Sequence, residues 1–232
     1  MGKDAKAAML ARIKAGLGTW AMDLPPVDEM KRRARLASPP VPGSLDDLTR
    51  ALEGFGVHCH VAADEAGAKA AIVQVLRETR PSKAAVWEDE ILDAVNLDGI
   101  LAEEDVEAVR PGRPDAIRSG GRPCRDVADA GIGVTSADAA LSFSGTLILR
   151  AAKGWERSVS LLPPVHLALV PGSRICKGTA DLIPLLESWR EGGAPSAVHC
   201  VTGPSSTGDI EFNIVKGMHG PVTVRVVVLT WL

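Results

Sequence analysis

A chain of 232 residues, 46% of them hydrophobic, is long enough to bury a sizeable core and too apolar for a disordered tail. Its 26 Lys and Arg stand against 29 Asp and Glu, and a net charge of -3 excludes the basic footprint of a nucleic-acid or anionic-membrane binder. Tyr is absent and Phe occurs only 3 times, which also excludes a base-stacking platform.

Cys59, Cys124, Cys176 and Cys200 are scattered without a C-x-x-C pair, so zinc-ribbon and iron-sulfur spacing is missing. No leader-like apolar segment and no run of about 18 apolar residues occurs. A cytoplasmic protein with free thiols and no membrane span is the expectation.

Met9, Leu10, Ile13 and Leu17 fall at helical spacing before Leu24-Pro25-Pro26, and a basic run follows at 31–35, so an N-terminal helical arm is expected. The run Ser38-Pro39-Pro40-Val41-Pro42-Gly43 cannot continue a helix, because proline lacks the amide donor and restricts the residue before it. The sequence therefore divides into an arm, 1–43, and a main domain, 44–232.

From Ser44 the apolar spacing alternates between helical and strand periods. Residues 45–54 read as a helix capped by Ser44, 57–62 as a strand, 64–79 as a helix with Ile72, Val75 and Leu76 inward, and 83–87 as a strand. This alternation predicts a three-layer α/β fold: a mainly parallel sheet with helices on both faces. The stretch 96–131 is less legible. Its Arg110-Pro111-Gly112-Arg113-Pro114 and Arg118-Ser119-Gly120-Gly121-Arg122-Pro123 runs put positive charge on a turn-rich backbone, suited to a lid over an anion or to an exposed variable loop.

Ile132-Gly133-Val134-Thr135 reads as a strand, and two short strands should flank the Ser144-Gly145-Thr146 turn. Asp138 and that turn are expected to face one crevice. Residues 165–170 form a near-continuous apolar run, as in a sheet covered on both faces. Leu182, Leu185, Leu186 and Trp189 mark a helix that accepts Pro184 only in its first turn. Val198-His199-Cys200-Val201-Thr202 reads as a buried strand opening into Gly203-Pro204-Ser205-Ser206-Thr207-Gly208-Asp209-Ile210-Glu211, the grammar of a binding loop at the carboxyl end of a strand. After the turn Gly217-Met218-His219-Gly220-Pro221, residues 222–229 form a strand for a central or near-central slot, where Arg225 needs polar company.

The runs Gly133-Val134-Thr135-Ser136-Ala137-Asp138, Ser144-Gly145-Thr146-Leu147, Ser160-Leu161-Leu162-Pro163-Pro164-Val165-His166, Thr202-Gly203-Pro204-Ser205 with Asp209-Ile210-Glu211, and Gly217-Met218-His219-Gly220-Pro221 occur in an order that resembles the LUD-domain family, lactate-utilisation protein C type. The resemblance implies a fold similar to the NagB/RpiA/CoA-transferase-like group. It also implies a role in oxidising L-lactate to pyruvate, as a subunit of an iron-sulfur lactate dehydrogenase complex without its own redox centre. On that view the chain carries no cofactor, and the iron-sulfur clusters sit on partner proteins. The chain departs from the family pattern where Ser206 takes the place of a basic residue, Gly208 that of alanine, and Ser144 that of an acid or Thr. A loop without its cation would bind an anion weakly, bind something else, or draw a cation from Arg157 or from the 113–125 region.

Candidate ligand-binding residues are thus Asp138, Ser144, Gly145, Thr146, Arg157, Gly203, Ser205, Ser206, Thr207, Asp209, Glu211 and His219. No metal site is assigned: His58 and His60 share a strand face, with no third ligand indicated. Cys200 reads as a buried structural thiol, His166 as a packed strand-start residue, Glu156 with Arg157 as a surface pair, and Asp209 as a capping partner of Ser206. A second class stays open, a free-standing enzyme or binder of a small anionic metabolite such as a sugar phosphate or a CoA-type ligand.

Overall fold

The computed structural model describes residues 8–13, 15, 42–111, 123–192, 194–208 and 214–232. Two compact units divide the chain, 1–38 and 39–232. Residues 8–13 are helical, with Met9, Leu10 and Ile13 exposed. Pro42 and Gly43, assigned to the arm from the sequence, pair with Cys176 and Ile175 and so join the main unit.

Helix α1 (Leu45–Gly54) starts where the Ser44 hydroxyl accepts the Asp47 amide, and strand β1 (His58–Ala62) follows. Helix α2 (Glu65–Thr79) is capped by Asp64, whose carboxylate accepts the Gly67 amide at 2.7 Å. Next come β2 (Lys83–Val86), α3 (Glu90–Ala94), α4 (Leu97–Glu103), β3 (Glu107–Val109), α5 (Pro123–Ala128) and β4 (Ile132–Ser136). The lid assigned to the Arg-rich stretch falls largely on 112–122, outside the described residues. Arg110 itself is bonded to Asp98.

Beyond β4 the chain leaves the main sheet for β5 (Ala139–Leu141) and β6 (Thr146–Ala151), then returns through α6 (Arg157–Leu161) to β7 (Val165–Pro171). Strand β8 (Ile175–Cys176), helix α7 (Ile183–Glu191) and β9 (Ala197–Val201) follow. The chain closes with a hairpin of β10 (Ser206–Gly208) and β11 (Ile214–Lys216), and with β12 (Thr223–Leu229).

Six parallel strands form the main sheet in the order β1-β12-β7-β4-β2-β3. Adjacent residues on β1 show that both faces are covered. The Cys59 thiol bonds Thr49 of α1, whereas His58 and His60 face Glu78 of α2. Leu167, Leu169, Val226 and Val228 at the centre are fully buried, each contributing about 1.5–3 kcal/mol of apolar transfer.

A second sheet, β8-β5-β6-β9, corrects the expectation for residues 198–202. Strand β9 is not a buried member of the parallel sheet but an antiparallel edge against β6, with Val198 and Cys200 exposed. Leu147 and Leu149 of β6 face the main core, and Ile148 faces Leu182 and Trp189 at α7. Pro184 sits at the start of α7, where its missing N–H is harmless.

Candidate functional site

The two polar turns picked out from the sequence do meet. Antiparallel pairing of β6 with β9 places Thr146 beside Thr202, and their Oγ1 atoms lie 2.8 Å apart. The Ser144 Oγ is 2.7 Å from the Thr146 Oγ1, which completes a chain of three hydroxyls. Gly145 and Gly203 hold positive φ of 63° and 78° because each turn presses on the end of α1. A Cβ at Gly145 would lie 3.0 Å from the Ala51 carbonyl carbon, and one at Gly203 would lie 2.9 Å from the Phe55 Cβ.

Ser205 extends this cluster to the turn that carries His219. Its amide donates to the Pro221 carbonyl and its carbonyl accepts the Gly217 amide, both at 2.9 Å. The exposed residues Ser206 and Thr207 enter the β10–β11 hairpin, so no helix begins at Ser206 and the expected cap is replaced by strand pairing. Lys216 lies directly across from Ser206 in the hairpin. Asp209 and Glu211 lie outside the described residues.

Asp138 does not belong to this cluster. Its Oδ2 accepts the Arg150 amide at 2.9 Å, and Arg150 is four residues from Thr146 along β6, or about 13 Å. The expected shared crevice is therefore two separate sites at opposite ends of one strand. Arg157 joins neither by contact; it is exposed at the start of α6, where its charge and, more strongly, burial lower the pKa of half-buried His199.

The Asp138 site has the more favourable position for a ligand. From β2 the chain steps outward to β3, then crosses back to β4 on the other flank of β2, so the carboxyl ends of β2 and β4 bound a topological switch point. Open parallel sheets take ligands at such points, because loops diverge there and leave a cleft. Trp87 and Glu88 follow β2, Asp138 follows β4, and the 152–157 loop closes the side.

Three aromatic and charged groups shape that cleft. The Arg150 guanidinium carbon lies 4.4 Å from the Trp155 ring centre and 5.3 Å from that of Trp189. Its Nε lies 2.9 Å from the Asp138 Oδ1, an ion pair whose angle falls short of a hydrogen bond. Arg174 donates to the Ala137 carbonyl at 3.0 Å from the next loop. Burial raises the Asp138 pKa above the ordinary carboxylate value, against the pull of the Arg150 amide and the charges of Arg150 and Arg174. One Glu156 oxygen, Oε2, is buried with no hydrogen-bond partner among the described residues. Of this site the sequence reading found Asp138 and read Glu156 as a surface pair with Arg157; instead one Glu156 oxygen accepts the Gly154 amide and the other is buried.

The LUD domain family matches residues 45–229, from α1 through β12. The chain belongs to the LUD-domain family. It is 34% identical to lactate utilization protein C of Halalkalibacterium halodurans over 68% of this chain and 67% of that one. The same-named protein of Geobacillus sp. is 32% identical over 81% and 80% of the two chains, and that of Bacillus subtilis 27% identical over the same shares. A DUF162 family protein from Deinococcus radiodurans has a similar fold, with a TM-score of 0.55 at 20% identity over 80% of this chain and 96% of that one.

Two further polar groups of this LUD domain pair within the fold. His166 is fully buried on β7 with its Nε2 2.9 Å from the Thr135 Oγ1, and burial pushes its pKa down to about 4. His58 and His60 share a face with Arg225, which pairs with Glu78 at 3.1 Å. Among the described residues no group of three or more His, Cys, Asp or Glu is arranged to hold a metal, and no helix is long and apolar enough to cross a membrane. Cys200 is exposed, not buried as expected, because alternate residues of the β9 edge face solvent.

Proposed function

We propose that this chain serves in the oxidation of L-lactate to pyruvate, as a subunit without its own redox centre that works beside iron-sulfur partner proteins in the cytoplasm. The observation that carries the reading is the likeness to proteins named lactate utilization protein C, which extends over 81% of the chain in the Geobacillus relative. Loss of two electrons and two protons from lactate requires an acceptor, and clusters on the partners supply it.

The described cysteines do not gather with other His, Cys, Asp or Glu into a group that could hold a metal. Cys59, Cys176 and Cys200 also stand on three different strands, β1, β8 and β9. A role in holding the organic substrate or the partner proteins suits such a chain better than a role in carrying electrons.

Deletion of the gene tests the reading. The strain should fail to grow on L-lactate, grow normally on pyruvate, and recover with the intact chain; affinity purification of that chain should bring down proteins with iron-sulfur absorbance. Normal lactate growth of the deletion strain would overturn it.

A further inference from the structure

We propose that the crevice between the carboxyl ends of β2 and β4 binds a short 2-hydroxycarboxylate, with Arg150 taking the carboxylate and Asp138 the hydroxyl. The choice of ligand rests on the lactate reading above; the site rests on geometry. Arg150 is held in place before any ligand arrives, by Asp138 on its Nε side and by the rings of Trp155 and Trp189. No acceptor among the described residues bonds its two Nη nitrogens, and its side chain is 32% exposed. A guanidinium fixed in this way presents a planar fork to a carboxylate without further loss of side-chain freedom. Arg174, 29% exposed, donates to the Ala137 carbonyl beside the site and faces the Glu90 carboxylate at 3.9 Å, so the carboxylate of the ligand falls to Arg150.

Asp138 decides which carboxylates fit. Each of its oxygens already faces Arg150, yet each keeps a second lone pair that can accept a hydrogen bond. The 2-hydroxyl of a hydroxy acid donates to that lone pair. A 2-oxo acid turns its own lone pairs toward the carboxylate and is rejected, as sites built for a hydroxyl reject analogues that lack it. Half-buried Trp155 offers an apolar wall for a methyl group. The crevice is thus matched to L-lactate rather than to pyruvate, which is the order a subunit that delivers substrate and releases product requires.

The test uses the full chain, titrated with L-lactate, pyruvate, acetate and inorganic phosphate at constant ionic strength, and followed by tryptophan fluorescence and calorimetry. So small a ligand should show a dissociation constant on the order of millimolar for L-lactate. Pyruvate should bind about 10-fold more weakly, and Arg150→Met should weaken lactate by about 10-fold or more. Asp138→Asn should remove the preference for lactate over pyruvate, and Arg150→Lys, which keeps the charge and loses the fork, should fall between wild type and Arg150→Met. Arg77→Ala, in an exposed ion pair with Glu104, should change nothing. If Arg150→Met fails to fold, the Lys and Asn variants decide.

Absence of a saturable response to every carboxylate overturns the site, and so does wild-type binding by folded Arg150→Lys and Asp138→Asn. Growth separates this from the function itself. A deletion strain that needs the gene for lactate growth and is rescued by Arg150→Met keeps the lactate role and loses the site. Lactate binding by a chain that is dispensable for lactate growth keeps the site and loses the role.

Discussion

Trp87 and Trp155 exchange hydrogen bonds: each indole N–H donates to the backbone carbonyl of the residue that follows the other ring, Trp87 to Glu156 at 3.1 Å and Trp155 to Glu88 at 2.6 Å. The ring centres are 6.4 Å apart, and the Glu88 amide reaches the Gly154 carbonyl at 3.0 Å. This reciprocal clasp joins the loop after β2 to the loop after β6 beside Arg150.

The clasp should behave as one unit in a double-mutant cycle. Trp87→Phe and Trp155→Phe each leave a carbonyl without its donor and are expected to cost about 1–3 kcal/mol apiece. Their combined cost should differ from the sum by about 0.5 kcal/mol or more, as for residues in one network. Urea unfolding of the four proteins measures this, and additivity within about 0.3 kcal/mol would mean that the two rings act independently.

Gly133 and Gly54 should respond in opposite directions to alanine. A Cβ at Gly133 would stand 1.8 Å from the Val159 carbonyl oxygen, so α6 could not keep its place on β4, whereas a Cβ at Gly54 meets nothing within 4 Å. Gly133→Ala is expected to cost about 3 kcal/mol or more by overpacking. Gly54→Ala, at the end of a helix, should stabilise by about 0.4–1 kcal/mol through the unfolded chain. Denaturation midpoints of the two variants check both signs.

Local chemistry explains which parts of this molecule could be read from the residues. Strands β1, β2, β4, β7 and β12 and helices α1 and α2 were legible because the apolar period changes at their junctions, with the caps Ser44 and Asp64 where it changes, whereas β3 and the short helices α3 to α6 have too few residues to show a period. The second sheet was not, since an apolar run such as 197–201 looks the same in a parallel core and on an antiparallel edge. Turns 144–146 and 202–205 were found because Gly and hydroxyl residues mark them, whatever they contact. Arg150 carried no local mark. Its meaning comes from Trp155 and Trp189 folding over it, and from Asp138 pairing across β5 and β6; only the Trp155 contact lies within a short window, and alone it marks nothing. A signal was nonetheless present: a Trp withdrawn from water needs an acceptor for its N–H, and Trp87 at the end of β2 and Trp155 in the loop after β6 both stand where carbonyls come free.

Thiol labelling should rank the cysteines. Cys200 is exposed on an edge strand, while burial pushes the pKa of Cys59 up to about 11 and that of Cys176 upward. Iodoacetamide on the native protein at pH 8 should therefore modify Cys200 before Cys176 and leave Cys59 unmodified until unfolding, because the thiolate is the reacting form. Peptide mass mapping over time reads the order, and early labelling of Cys59 would contradict the packing of β1 against α1.

His166 should make the fold sensitive to mild acid. Its folded pKa, about 4, lies below the ordinary imidazole value of 6.5, so the unfolded chain binds a proton in the interval where the folded chain does not. Stability must then rise with pH from about 4 to 6.5 and be complete above it; in the other direction it is lost as pH falls through that window. At about 1.4 kcal/mol per unit of pKa difference, the loss approaches roughly 3 kcal/mol near pH 4. A His166→Gln variant, which cannot titrate there, should be less stable than wild type at pH 7.5 and should lose less stability on going to pH 4.5. Urea unfolding at the two pH values measures both slopes. Equal slopes would show that the imidazole takes up its proton in the folded protein, between β4 and α6, as readily as it does in water.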